Sequence, residues 1–316
     1  MATTTTATTN FGSTVTALVL KRIEENCRAR LPFLTPESYL PAVHVKGTNG
    51  TMRFVAYTDL AVLTTTLTEG SPPTGQALAI ETDEFTAAQK GGTIELTDLA
   101  QMQSPHDLLT VAADRAAWQA ALTMNTLAKD AIYGGVAVIK WSNGSARSTV
   151  SATITGALVK RMVSYLSSVN VARFADGYYR AIISPQQAYD LQTDTANGGW
   201  MDIYKAVDNA PLVQGELGYE LGQYGGVRFL VSSIAQVYAT AGASGVDVHS
   251  ALLFGPGYFA WGDPESIEAR FVPPGGDHSD PLGQKAIIGW KAYVGGVIAD
   301  AGGAKYVSLE TAATTL

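Results

Sequence analysis

Residues 46–133 constrain this chain most: a long, polar, threonine-rich extended arm runs directly into a capped, alanine-rich helix. Met52 to Leu67 and Gln76 to Leu96 both read as extended, joined by the turn-forming run Glu69-Gly70-Ser71-Pro72-Pro73-Thr74-Gly75. Alternation is only partial. Met52, Phe54 and Ala56 share one face, Leu78 and Ile80 begin another, and the return strand turns polar at Glu81, Thr82, Asp83 and Glu84. A two-stranded ribbon of this composition buries too little apolar surface to stand alone. Its expected support is a neighbouring copy of the same chain, so Glu69, Gly70, Pro72 and Pro73 at the tip are candidate intersubunit contacts.

The helix announces itself with Ser104-Pro105-His106-Asp107, which reads as Ser at the N-cap, Pro at the first helical position and an acid at the third. Leu109, Ala113, Ala116, Ala120, Met124, Leu127 and Ala131 then recur at three- and four-residue steps and mark one face. Tyr133-Gly134-Gly135 is the expected stop, through a left-handed glycine. At 1.5 Å per residue such a helix spans about 40 Å. Its contact face is mostly alanine, so whatever packs there comes close to the backbone, and Ala116 and Ala120 join the candidate intersubunit contacts. An arm feeding a long spine describes an assembly subunit better than an enzyme.

With 316 residues and 46% hydrophobic content, the chain can form one large or two modest domains. Only 16% of residues are charged, against roughly 25% in ordinary soluble domains, as if other protein covers much of the surface. The formal net charge is −7 and the pI near 5.1. The densest basic stretch, Lys21-Arg22 with Arg28 and Arg30, is interrupted by Glu24 and Glu25. Tight nucleic-acid binding needs several phosphate contacts from a basic patch, and the linear sequence offers none. Cys27 stands alone, which fits a reducing compartment and precludes an intrachain disulfide. The threonine tract Met1 to Asn10 reads as a flexible arm, Ser13 to Arg30 as an amphipathic helix within it. Neither a signal-peptide pattern nor a bilayer-length apolar run is present.

Further along, Val136 to Trp141 reads as a strand, Ser142 to Ser145 as a turn, Thr155 to Val169 as a helix, and Tyr178 to Ile183 as a buried strand. Ser184-Pro185-Gln186-Gln187 caps a helix that turns Ala188 and Leu191 inward. Trp200 to Val207 is a short helix; Gly226 to Ser232 and Ala251 to Phe254 are strands. Ile267 to Val272, Ala286 to Tyr293 and Val297 to Asp300 follow as strands around the Pro273 to Asp277 loop. Helix and strand alternating between about 150 and 260 fit a compact α/β unit.

No catalytic constellation emerges. Asp277, His278 and Asp280 are the best metal-like cluster, but near-adjacent loop residues rarely converge on one ion, and a solvated turn is the expectation. His44, His106 and His249 are scattered, and Cys27 reads as a spectator thiol. Gly215-Glu216-Leu217-Gly218 with Gly222 and Gly225-Gly226 has the wrong spacing for a nucleotide loop and reads as turns. Asn49-Gly50-Thr51 and Asn143-Gly144-Ser145 read as turns before glycosylation acceptors. No catalytic, cofactor-binding or metal residue is therefore assigned.

Several short motifs occur in a telling order: Glu69-Gly70 with Pro73 and Leu78; Thr97-Asp98; Tyr179-Arg180-Ala181-Ile182-Ile183-Ser184-Pro185 with Asp190-Leu191. Gly215-Glu216 with Gly218, Gly226-Val227-Arg228-Phe229 and Phe254-Gly255 follow. Asp280-Pro281-Leu282-Gly283-Gln284 with Gly289-Trp290-Lys291 is the most specific piece. Together they resemble the tailed-bacteriophage major capsid proteins typified by coliphage N-four, from about Lys46 to about Asp300. The resemblance implies an α+β, Hong Kong 97-type capsid fold. Its parts would be an N-terminal arm (1–45), an extended β-arm (46–103), a peripheral domain with a long spine helix (104–149), an axial domain (150–250) and a return to the peripheral domain (251–316). It also implies hexamers and pentamers in an icosahedral head around double-stranded DNA bound non-specifically. Portal, decoration or scaffolding proteins would be partners, the virion the location, and the host cytoplasm the place of assembly. Rival readings are an encapsulin-like nanocompartment shell, an α/β enzyme with a dimerisation hairpin, and a virion decoration or tail protein.

Overall fold

The computed structural model describes Lys21 and residues 32–34, 39–41, 43–44, 51–57, 60–64, 66, 69–70, 75–105, 107–136, 138–196, 220–275, 280, 282–299 and 305–314. The expected Ser13–Arg30 helix (Lys21 apart), the Trp200–Val207 helix, Cys27, Pro72 and Pro73 lie outside these residues.

The alanine-rich segment forms one helix, α2 (Leu108–Gly134), preceded by a short helix α1 (Asp98–Gln103). The start signal is resolved differently from the sequence expectation. Asp107, not Ser104, is the N-cap of α2, accepting from the Leu109 amide at 3.1 Å and from the Thr110 hydroxyl at 2.6 Å. Ser104 instead closes α1, whose own N-cap is Thr97. The stop also differs. Gly135 caps the helix at φ −109° with its N–H on the Ile132 carbonyl, so no left-handed residue is used.

One face of α2 lies on a four-stranded sheet ordered β1-β12-β13-β5, with β1 (Tyr39–Pro41), β5 (Ala88–Thr97), β12 (Phe259–Val272) and β13 (Lys285–Ile298). The strands expected at Ala286–Tyr293 and Val297–Asp300 are one element, β13, because Gly295 and Gly296 continue the ladder opposite Gly262 and Trp261. Alanine on the helix is matched by glycine on the sheet. Gly92 stands opposite Trp290, and a Cβ there would come within 2.7 Å of Gln119 Oε1, the atom that accepts from Trp290 Nε1. Near the other end of α2, Phe33 is fully buried, and its N–H donates to the side-chain oxygen of buried Asn125 at 3.3 Å.

The second sheet has seven strands: β6 (Ile139–Trp141), β14 (Tyr306–Ala312), β11 (Val248–Phe254), β7 (Tyr179–Ile183), β9 (Val227–Val231) and β8 (Glu220–Tyr224) in order, with β10 (Val237–Tyr238) beside β11. Strand alternation sends Ile182, Leu230, Leu252, Phe254 and Tyr306 into the core that contains α2. Ala181, Ile183, Phe229, Leu253, Val307 and Leu309 face the helices α3 (Gly156–Ser168) and α4 (Pro185–Thr193). Both faces are covered, which explains why β11 and β14 are buried at every position. The helix starting at Thr155 and the cap at Ser184 match the sequence. Thr155 starts α3, and Ser184 with Gln187 forms a reciprocal capping box at α4. Gly225 and Gly226, at φ +60° and +88°, make the tight turn between β8 and β9.

A third, three-stranded sheet joins β2 (Val43–His44), β3 (Thr51–Tyr57) and β4 (Ile80–Thr86). It meets the main body where Met52 and Phe85 crowd Gly262: a Cβ there would lie within 3.0 Å of Phe85 Cζ and nearer still to the Met52 sulfur.

Candidate intersubunit surface

The arm divides into a held base and an unsupported end. β5 is paired along its whole length with β13, from Ala88–Val294 to Thr97–Lys285. The expectation that a neighbouring copy supports the arm is therefore corrected for its base, which this chain's own sheet holds. Ile94 and Leu96 pack on the α2 core, and Met52 and Ala87 are buried.

Beyond the base, the ladder between β3 and β4 stops at Tyr57–Ile80. The strands expected to continue to Leu67 and to begin at Gln76 do not form among residues 60–64 and 75–79. Among the described residues, the side-chain bond from Gln76 Nε2 to the Ala61 carbonyl at 3.0 Å links the two limbs. The apolar residues of these limbs face water: Val62 is 87% and Leu63 70% exposed, with Tyr57, Leu60, Leu78 and Ile80 all more than half exposed. Backbone left without a ladder and apolar side chains left without a core are what a partner strand or surface would cover.

Of the tip residues singled out from sequence, Glu69 and Gly70 are exposed in a turn, with Gly70 at φ +79°, where glycine is favoured. Pro72 and Pro73 lie outside the described residues. Ala116 and Ala120 are removed from the candidate surface. They are 1% and 0% exposed within a single chain, packed with Ile288, Trp290 and Ala292 of this chain's own sheet. The physical reason is that a helix packed so closely through alanine finds its partner in the glycine-bearing strands β5 and β13, not in another copy. Leu60, Val62 and Leu63 escaped the sequence reading, although the run Leu60-Ala61-Val62-Leu63 between polar neighbours signals them.

Several buried polar residues elsewhere hold the fold together. Ser184 Oγ is 2.9 Å from His249 Nδ1, and Gln187 Nε2 donates to the His249 carbonyl and to Thr311 Oγ1. Because Ser184 Oγ also caps the Gln187 amide, it joins the start of α4 to β11 as a structural junction. Burial holds the His249 imidazole below its usual pKa, with Asp247 and Asp190 opposing. Asp280 accepts from the Lys285 amide at 2.7 Å, while Asp277 and His278 lie outside the described residues. Among the described residues no group of three His, Cys, Asp or Glu side chains is placed to hold a metal, and no helix is long and apolar enough to cross a membrane.

No family model matches the chain, and no curated protein matches its sequence. Solved structures do match. The capsid of Ralstonia phage GP4 aligns at TM-score 0.69 and 15% identity over 85% of each chain. The cyanophage Pam1 capsid aligns at TM-score 0.68 and 15% identity, over 90% of this chain and 93% of that one. The cyanophage P-SCSP1u capsid aligns at TM-score 0.61 and 12% identity over 88% and 90%. The likeness runs over most of both partners: this chain has the α+β, Hong Kong 97-type fold of tailed-phage capsid proteins.

Proposed function

We propose that this chain is a major capsid protein, a structural subunit that self-assembles into hexamers and pentamers to close an icosahedral head around double-stranded DNA. The observation that carries the reading is the arm end. Leu60, Val62, Leu63, Leu78 and Ile80 stand in water on a chain whose fold is that of phage capsid subunits. In this reading residues 1–45 are the N-terminal arm and 46–103 the extended arm, α2 is the spine of the peripheral domain, and residues 150–250 form the axial domain around the capsomer centre. Burial of the arm end on a neighbouring copy supplies the driving force of assembly, at about 25 cal/mol for each Å² of apolar surface covered. Portal, scaffolding and decoration proteins would be further partners, and the virion the final location after assembly in the host cytoplasm.

Electron microscopy and analytical ultracentrifugation of the purified chain test this. Closed shells or ring-shaped capsomers are expected. A monomer that persists at high protein and salt concentration would remove the proposal. A shell that encloses a co-expressed enzyme in place of DNA would move it to the encapsulin-like class.

A further inference from the structure

The short helix α1 is capped at both ends, by Thr97 and Ser104, yet buries none of its six residues among the described chain. A helix of this length is marginal in water on its own, because so few hydrogen bonds do not repay nucleation. Its apolar side therefore calls for support. That side is Leu99 and Met102, one helical turn apart. The Asp98 amide donates to the Gln284 carbonyl at 3.0 Å, which brings the loop of Leu282 to the start of the helix. Leu99 is more than half exposed, Met102 83% and Leu282 79%. Three large apolar side chains thus stand in water at one corner, where β5 ends and β13 begins. The arm lies at the other end of β5, whose ten residues from Ala88 to Thr97 span about 30 Å. The corner is a second surface, separate from the arm end.

We propose that capsomers meet at this corner, with Leu99, Met102 and Leu282 packed on the same corner of a second copy in the neighbouring ring; the proposal rests on the capsid reading above. A shell needs two kinds of contact, one that closes each ring and one that joins rings, and the arm end supplies the first. The chemistry of the corner is self-complementary. α1 carries one charge, Asp98, whose carboxylate accepts from the Leu99 amide at 2.6 Å, and nearby Glu95 pairs with Lys285. Beside them stand Gln101, Gln103 and Gln284, all exposed. A side-chain amide both donates and accepts, so it can bond its own copy. Two such corners meet without like charges opposed, as an isologous contact requires. The arm end of another copy fits less well. Gln76, the one side-chain amide of its described limbs, is already bonded to the Ala61 carbonyl, which leaves fewer partners for three glutamines.

Electron microscopy and sedimentation of the full-length chain test the corner. Leu99→Ser/Met102→Ser is expected to keep the wild-type melting temperature and to assemble as far as capsomers, with closed shells lost. Val62→Ser/Leu63→Ser, at the arm end, is the contrast and should stop before capsomers. A second measurement leaves the contact in place. In a Cys27→Ser background, a bis-maleimide should join two copies of the Met102→Cys chain within shells, seen as a dimer on a denaturing gel. Ala157→Cys, exposed on α3, should give none. Normal shells from the serine variant overturn the proposal, as does its arrest at the same stage as the arm-end variant. Absence of the Met102→Cys dimer overturns it whatever the serine variant does. A dimer that forms only when Val62→Cys is also present gives the corner to a neighbour's arm end and overturns it too. A wild-type chain that forms neither capsomers nor shells removes the capsid reading and this proposal with it. Wild-type shells beside any of the negative results remove this proposal alone.

Discussion

The Glu310 carboxylate receives the Arg147 guanidinium edge-on: Nη2 donates to Oε1 at 2.6 Å and Nε to Oε2 at 3.0 Å. Trp141 Nε1 adds a further bond to Oε2 at 3.0 Å, and the guanidinium carbon lies 3.5 Å from the centre of the Tyr238 ring. The pair ties the segment after α2 to β14, a central strand contributed by the last stretch of the chain.

Arg147→Ala should therefore destabilise the subunit. Removing one partner of a buried pair costs about 3–5 kcal/mol. Glu310 is 1% exposed but Arg147 34%, so water softens the loss and about 2–3 kcal/mol is expected. The urea midpoint reads it. The double change Arg147→Met/Glu310→Leu should recover most of the loss, since an apolar pair leaves no stranded charge. A single variant within about 0.5 kcal/mol of wild type would contradict the clamp.

His249 sets a pH dependence. Burial depresses its folded pKa below the 6.5 of the free group, so the unfolded chain binds the proton more readily. Its contribution is complete above pH 6.5 and is lost as pH falls through the folded value. His249→Gln should flatten that part of the stability curve while keeping a polar partner within reach of Ser184. Parallel wild-type and variant curves between neutral and mildly acidic pH would show that other groups carry the slope.

Tyr258 is fully buried, stacked on Phe254 at 4.1 Å, and its hydroxyl has no hydrogen-bond partner among the described residues. An unsatisfied buried hydroxyl costs about 1–3 kcal/mol. Tyr258→Phe should raise stability by about 1 kcal/mol, visible as a higher melting temperature. A lower one would mean that the hydroxyl has a partner, such as a buried water.

Ala120 separates helix–sheet packing within the subunit from contact between subunits. Because it is 0% exposed against its own sheet, Ala120→Phe should cost roughly 1–3 kcal/mol through overpacking. The loss should appear in the melt of unassembled protein. A defect confined to assembled material would return this face to the intersubunit surface.

Legibility followed local physics. The helix beginning at Thr155, the cap at Ser184, the strand at Tyr179–Ile183 and the turn at Gly225-Gly226 were readable because each depends on a few adjacent residues. β14 was not. Tyr306-Val-Ser-Leu-Glu-Thr-Ala alternates like a half-exposed strand, yet every position is buried. Its polar members find partners far away in sequence: Ser308 on Ser250 at 2.6 Å, Glu310 on Arg147, Thr311 on Gln187. The alanine face of α2 was legible as a close contact, but nothing in its spacing says whether the opposing backbone belongs to this chain or another. At the candidate site the turn was visible through glycine and proline, whereas the exposed run Leu60 to Leu63 looked like ordinary strand material.

The decisive test separates folding from assembly at the arm end. Val62 and Leu63 touch no core, so replacing both by Ser should leave the subunit's stability within about 0.5 kcal/mol of wild type. Circular dichroism should keep the α2 helical signal and a single cooperative melt. Deleting Leu67 to Ala77 and closing the gap with Asn-Gly should behave the same way, because the ladder that anchors the arm ends at Tyr57–Ile80, outside the cut. Shells viewed by electron microscopy from the same preparations should be lost or malformed in both variants, since a neighbour would have only polar residues or no arm end to cover. Normal shells from both would show that assembly does not use the arm end. A collapsed melt in the Ser variant would place Val62 and Leu63 in their own subunit's core and send the search for the intersubunit surface elsewhere.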